Sequence, residues 1–235
     1  MMNRIASILT ALFLVFSSVS ATAQERGTLI LMVDVSSSIS PSELRLQYEG
    51  YEKALYELRG ILHGMQIEVI TFGQHPEHVH SGNSLTASAF FGSRKMSGER
   101  GWGNMTCPVG GLEYIVENWK SWTPPVIIDI TGDGEQTDAY CFSKKEIWEY
   151  RNEIENLGGR VNALLIKPIT QMAPHNQVRQ FYRRLPTNNG GFMMHAENFD
   201  KFQLAIMEKI IAEVGYLDEK YRISPRPEAQ NEGKG

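Results

Sequence analysis

Four strand-length runs punctuate the chain, at 28–33 (TLILMV), 66–72 (QIEVITF), 126–130 (VIIDI) and 161–166 (VNALLI); the first is continuously apolar after its threonine, and the others are apolar but for a few polar positions. Runs that are mostly apolar over this length are how strands covered on both faces read, so they predict the buried strands of a parallel sheet. Between them the apolar period changes to three and four. Leu44, Tyr48, Tyr51, Leu55 and Leu58 share one helical face. So do Val109, Leu112, Val116 and Trp119, then Ile147, Tyr150, Ile154 and Leu157, and last Phe199, Phe202, Ile206, Ile210 and Val214. The punctuation agrees. Ser40 and Glu43 spell a capping box with Pro41 at the first helical position, Ser143 and Glu146 spell a second, and Asn198 precedes the last helix as its cap. Weaker signals predict an edge strand at 77–80, a short helix at 84–91, a helical segment around 178–185 and a last strand at 192–195. The glycine-rich stretch 98–103 reads as a loop.

Strands alternating with helices, most strands being largely apolar, predict an α/β fold: a doubly wound, mostly parallel sheet with helices on both faces. One domain over 28–215 accounts for the pattern. The segment 218–235 is charged and rich in proline and glycine, and is expected to be a disordered tail. At the other end, Arg4, the apolar stretch 5–19 and Ala21-Thr22-Ala23 read as a signal peptide over 1–23, shorter than the ~20 apolar residues of a membrane span. The chain is therefore expected to be exported, periplasmic or secreted, with no transmembrane segment in its mature form. No cysteine follows the apolar stretch, which argues against a lipid anchor.

Composition narrows the function classes. The 23 basic and 27 acidic residues give a net charge of −4, and loss of Arg4 leaves −5. With no basic excess, nothing favours nucleic acid as a partner. Two cysteines in an exported chain usually pair. Cys107 adjoins Thr106 and Cys141 follows the loop after the third run, so a bridge between them is expected.

Candidate chemistry gathers where ligands bind in open parallel sheets, beyond the carboxyl ends of the strands. Asp34-Val35-Ser36-Ser37-Ser38 follows the first run, Thr106 follows the glycine-rich loop, and Asp133 follows the third run. Asp34, Ser36, Ser38, Thr106 and Asp133 offer two carboxylates and three hydroxyls, all hard oxygen donors. That set suits a hard divalent cation, Mg²⁺ first because it keeps waters and needs few protein ligands, with Mn²⁺ or Ca²⁺ as alternatives.

At these five positions the sequence resembles the von Willebrand factor type A fold with its metal-ion-dependent adhesion site. The stretch Ile128-Asp129-Ile130-Thr131-Gly132-Asp133-Gly134 and the block 191–214 resemble more narrowly an exported bacterial branch, domain of unknown function 1194. Relative to the commoner Thr-Asp-Gly of the broad family, Thr131-Gly132-Asp133-Gly134 carries one inserted glycine. The resemblance implies a metal-dependent, non-enzymatic binding module whose partner is a protein offering an acidic side chain to the metal.

Two other readings compete. Thr-Gly-Asp-Gly also resembles the last acidic motif of haloacid-dehalogenase-like phosphatases, which begin with Asp-x-Asp; there the second Asp is the general acid, and Ser36 stands in its place here. Asp138 also falls one residue late for that motif. The remaining reading is a structural envelope protein with a vestigial site. Lesser features have blander expectations. His75, His78 and His80 read as a polar edge hairpin, with His78 and His80 on one strand face. Asp129 reads as an internal hydrogen-bond acceptor, for instance for loop amides. Glu135 and Asp138 read as solvated loop acids or an adjunct to the site, and Trp102 as a loop anchor or partner contact.

Overall fold

A computed structural model describes residues 26–97, 105–134, 136, 141–166 and 173–222. The expected leader at 1–23, the loop with Trp102, and Glu135 and Asp138 lie outside the described residues. Six strands form one sheet: β1 (Gly27–Asp34), β2 (Met65–Phe72), β3 (Pro76–Gly82), β4 (Val126–Gly132), β5 (Arg160–Ile166) and β6 (Met193–Ala196). Their order is β3-β2-β1-β4-β5-β6, all parallel except β3, which returns antiparallel to β2 as a hairpin. The helices are α1 (Pro41–Glu57), α2 (Ser84–Ser97), α3 (Pro108–Glu117), α4 (Ile147–Asn156), α5 (Ala173–Arg184) and α6 (Phe202–Arg222). The chain spreads outward from β1 in one direction and from β4 in the other. The neighbouring carboxyl ends of β1 and β4 are therefore the switch point of the sheet, where side chains from two loops can meet over a crevice.

Alternate residues of the same strands serve two cores. Leu29, Leu31 and Val33 pack with Tyr51, Leu55, Phe91, Phe202 and Ile206 from α1, α2 and α6. Ile30 and Met32 pack with Leu112, Ile115, Tyr150, Ile154 and Tyr182 from α3, α4 and α5. That double burial is why the strand sequences lack alternation, and each enclosed aliphatic side chain contributes about 1.5–3 kcal/mol. No helix among the described residues is long and apolar enough to cross a membrane.

Several boundaries differ from the sequence expectation. The first capping box forms as expected: Ser40 Oγ accepts the Glu43 amide and Glu43 accepts the Ser40 amide at 2.8 Å. The second does not form at Ser143. Helix α4 begins only at Ile147, and Glu146 donates its amide to Glu149 at 2.9 Å in its stead. Ile115, not Val116, is the buried residue at that level of α3, and Leu157 closes α4 exposed to solvent. Helix α6 continues to Arg222, past the point where the tail was expected to start; residues 218–222 include neither glycine nor proline.

The β3 hairpin corrects the histidine expectation. A register shift between Val69 and Ile70 places His78 against Tyr114 and Trp122 on one side of the sheet and His80 against Phe90 on the other. A bulge breaks the two-residue period that would have put both on one face. His78 pairs instead with buried Glu68 at 2.5 Å, and Glu68 also accepts from Gln66 and Ser81.

Candidate metal centre

Asp34 ends β1, and its backbone carbonyl side is held by Gln47 of α1. The chain then turns tightly: Val35 donates its amide to Phe72 of β2, and Ile39 donates back to Ser36. This fold-back turns Ser36 inward and leaves Ser38 exposed at the rim. Thr106 comes from the segment leading into α3, fixed by the Cys107 amide donating to the Gly73 carbonyl at 2.9 Å. Asp133 follows immediately after β4.

The five side chains meet. Thr106 Oγ1 donates to Ser36 Oγ at 3.0 Å, Ser36 and Ser38 hydroxyls lie 3.0 Å apart, and Ser38 donates to Asp133 Oδ1 at 2.7 Å. Asp34 Oδ1 accepts the Ser36 amide at 2.8 Å, whereas Asp34 Oδ2, fully buried, has no hydrogen-bond partner. Burial pushes the Asp34 carboxyl up to about 7; its Ser36 hydrogen bonds pull the other way, and the nearby Asp133 charge adds to the rise. Two carboxylates, one of them with an orphaned buried oxygen, are joined to the rim by hydroxyls. A hard divalent cation fits that chemistry: every donor is oxygen, and the ion would supply the charge the carboxylates need. Among the described residues no three His, Cys, Asp or Glu side chains gather in one place, so any cation here depends on the hydroxyls as much as on the acids.

The expected bridge is present. Cys107 and Cys141 are joined, with 5.4 Å between their Cα atoms, linking the segment of Thr106 to the stretch after the Asp133 loop.

Two residues at the edge of the site that the sequence singles out have surroundings it does not foretell. Asp129 is an internal acceptor, as expected, with side chains as its partners. It forms a buried ion pair at 2.5 Å with Lys209 of α6, accepts from Thr131, and shares Lys209 with Glu213 at 2.6 Å. The inserted glycine, Gly132, simply extends β4 by one residue in register with Leu165. The signal for the first was available: Lys209 and Glu213 fall in the same helical stripe as Phe202 and Ile206, where a charged residue has to find a partner.

Residues 99–217 match the family described as Protein of unknown function (DUF1194). The chain belongs to that family. No curated protein matches the DUF1194 sequence. Among solved structures, proximal thread matrix protein 1 from the mussel byssus, with a zinc-occupied MIDAS motif, is 15% identical with a TM-score of 0.61, over 82% of this chain and 48% of that one. The pilus adhesin SpaC from Lactobacillus rhamnosus GG is 13% identical with a TM-score of 0.59, over 80% of this chain and 30% of that one. BatB from Bacteroides thetaiotaomicron is 17% identical with a TM-score of 0.55, over 80% of this chain and 98% of that one. The DUF1194 chain thus spans less than half of the mussel protein and the adhesin. At these identities the likeness is one of fold, and the fold is the von Willebrand type A fold.

Proposed function

We propose that this DUF1194 protein is an exported, non-enzymatic binding module that captures a partner protein through a divalent cation. Asp34, Ser36, Ser38, Thr106 and Asp133 would hold the ion, Mg²⁺ in the first place, with Mn²⁺ or Ca²⁺ able to use the same oxygens. The observation that carries this reading is the continuous chain Thr106–Ser36–Ser38–Asp133 beside the unpartnered Asp34 Oδ2. The zinc-occupied MIDAS motif of the mussel protein, on the same fold, supports it.

When bound, the cation supplies a site for an anionic oxygen, because two protein carboxylates and neutral hydroxyls leave it electrophilic. An Asp or Glu side chain of the partner is the matching ligand. The surroundings add contact: Phe142, 85% exposed, stands beside the disulfide that ends at Cys141, and such an exposed aromatic is the kind of residue that anchors an interface. A hydrolase reading is weaker because Ser36 holds the place of the general acid, and its hydroxyl is engaged with Ser38 and Thr106.

Calorimetric titration with Mg²⁺ and Mn²⁺ tests the site: wild-type protein should bind one ion, and Asp34→Ala none. Equal affinity in the two proteins rejects the assignment. Recovery of a partner in Mg²⁺ that is lost in EDTA tests the capture step.

A further inference from the structure

Gly132 has a neighbour that accounts for its lack of a side chain. A Cβ at this position would stand 2.5 Å from the Tyr182 hydroxyl and 2.6 Å from Asp34 Oδ2, far inside van der Waals contact. The phenol of Tyr182 and the orphaned carboxylate oxygen therefore converge on the same bare Cα. Tyr182 comes from α5, an element with no other part in the candidate centre, and is 1% exposed within the second core. The two oxygens flank one bare Cα without being hydrogen-bonded to each other, since Asp34 Oδ2 has no partner.

We propose that Tyr182 is a positioning residue of the cation site, its hydroxyl standing across Gly132 from Asp34 Oδ2 and donating to that oxygen when the ion is bound, which orients the carboxylate. This rests on the cation reading above. Asp34 Oδ1 is already fixed by the Ser36 amide, so a donor on Oδ2 leaves the carboxylate no freedom to rotate out of the site. Outer partners of this kind typically change metal affinity by about 10- to 100-fold. Glycine at 132 is the condition for the contact, which explains why one extra residue separates Thr131 from Asp133 without displacing Asp133 from Ser38.

Tyr182→Phe removes the hydroxyl and keeps the ring. The expected result is Mg²⁺ affinity weakened about tenfold or more by calorimetry, with the thermal midpoint in EDTA unchanged. In the wild-type protein, the ζ-carbon resonance of Tyr182 should move in step with Mg²⁺ occupancy, a readout that does not depend on the variant folding. Wild-type affinity in Tyr182→Phe, or a Tyr182 resonance that ignores saturating Mg²⁺, overturns the proposal while leaving the cation site standing. Absence of any Mg²⁺, Mn²⁺ or Ca²⁺ binding by the wild-type protein overturns both, and Asp34→Ala run in parallel tells these failures apart.

Discussion

Lys209 of α6 and Asp129 of β4 face each other at 2.5 Å with neither side chain exposed. The strand that presents Asp133 is thus tied to the C-terminal helix by an ion pair in a region otherwise filled by Leu, Ile and Phe. Glu213, one turn further along α6, takes a second hydrogen of the same ammonium at 2.6 Å and accepts from Asn162 at 2.8 Å. Removing one member of such a buried set strands the others, at a cost of about 3–5 kcal/mol. Lys209→Met should therefore lower the stability measured by urea unfolding by about that amount. A loss below about 1 kcal/mol, the scale of a surface pair, would show that the pair is solvated in solution.

The same triad predicts a pH dependence. One ammonium serves two carboxylates, and Asp129 Oδ2 and Glu213 Oε2 are both left without partners. Burial raises the Glu213 carboxyl from 4.5 to about 7, against the pull of Lys209 and with the push of Asp129. A raised folded-state value means the native protein keeps a proton that the unfolded chain has released. This contribution is therefore full below 4.5 and is lost as pH climbs toward 7. Glu213→Gln keeps an acceptor for Lys209 and Asn162 without the charge. It should flatten the fall in stability between pH 5 and 7 and match or exceed the wild-type protein at pH 8. Asp34 contributes a fall of the same sign in EDTA, so the comparison of variant with wild type isolates Glu213. Parallel slopes for the two proteins would refute the assignment.

The Cys107–Cys141 bridge, 34 positions apart, closes the stretch that holds α3, β4 and Asp133, with Thr106 just outside it. Closing a loop of that length restricts the unfolded chain by about 3–4 kcal/mol. Cys107→Ser with Cys141→Ser should lower stability by about that much, and should also weaken Mg²⁺ binding because Thr106 loses its neighbouring tether. Thiol titration of the denatured, unreduced protein should detect no free thiol.

The parts legible in the sequence are those set by local pattern. The four buried strands announce themselves because both faces are enclosed, and Ser40 with Glu43 marks a helix start that the backbone obeys. The candidate centre was legible as residue types at strand ends. That the hydroxyls of Thr106, Ser36 and Ser38 link into one chain is a tertiary fact. What stayed hidden depends on residues far apart in the chain. Tyr182 reaches Gly132 across fifty positions, and nothing in the local pattern of α5 marks its hydroxyl. Asp129 meets Lys209 across eighty, although the charged positions in the α6 stripe were a usable warning. The His78–Glu68 pair turns on a bulge that shifts the hairpin register, and a two-residue period cannot foresee that.

Within the candidate centre, Asp34→Ala and Thr106→Ala should separate by degree. Asp34 carries charge and is fully buried, so its loss should abolish Mg²⁺ binding. Thr106 contributes one neutral hydroxyl among five oxygen-bearing side chains, so Thr106→Ala should weaken binding and leave the thermal midpoint in EDTA close to wild type. Saturating the wild-type protein at about 100 times the dissociation constant should raise its stability by about 2.7 kcal/mol, and the same Mg²⁺ should do nothing for Asp34→Ala. A Thr106→Ala protein that binds Mg²⁺ as the wild type does would remove Thr106 from the site.

Gly132→Ala is the sharpest test of how the site is packed. The added methyl would lie 2.5 Å from one oxygen and 2.6 Å from another, both in a filled interior, so both Tyr182 and Asp34 must give way. Overpacking of this kind costs about 1–3 kcal/mol. The backbone itself raises no objection, since Gly132 is an ordinary strand residue paired with Leu165 and not one of the glycines with positive φ. The penalty should therefore come from the side chains alone, and it should shrink when Tyr182→Phe removes one of the two oxygens. In a double-mutant cycle the two substitutions should be non-additive in stability by about 0.5 kcal/mol or more, as residues in contact are. Simple additivity would mean that the Tyr182 hydroxyl gives way without cost and the clash with Asp34 carries the whole penalty, and Gly132→Ala would then lose Mg²⁺ binding whatever residue stands at 182.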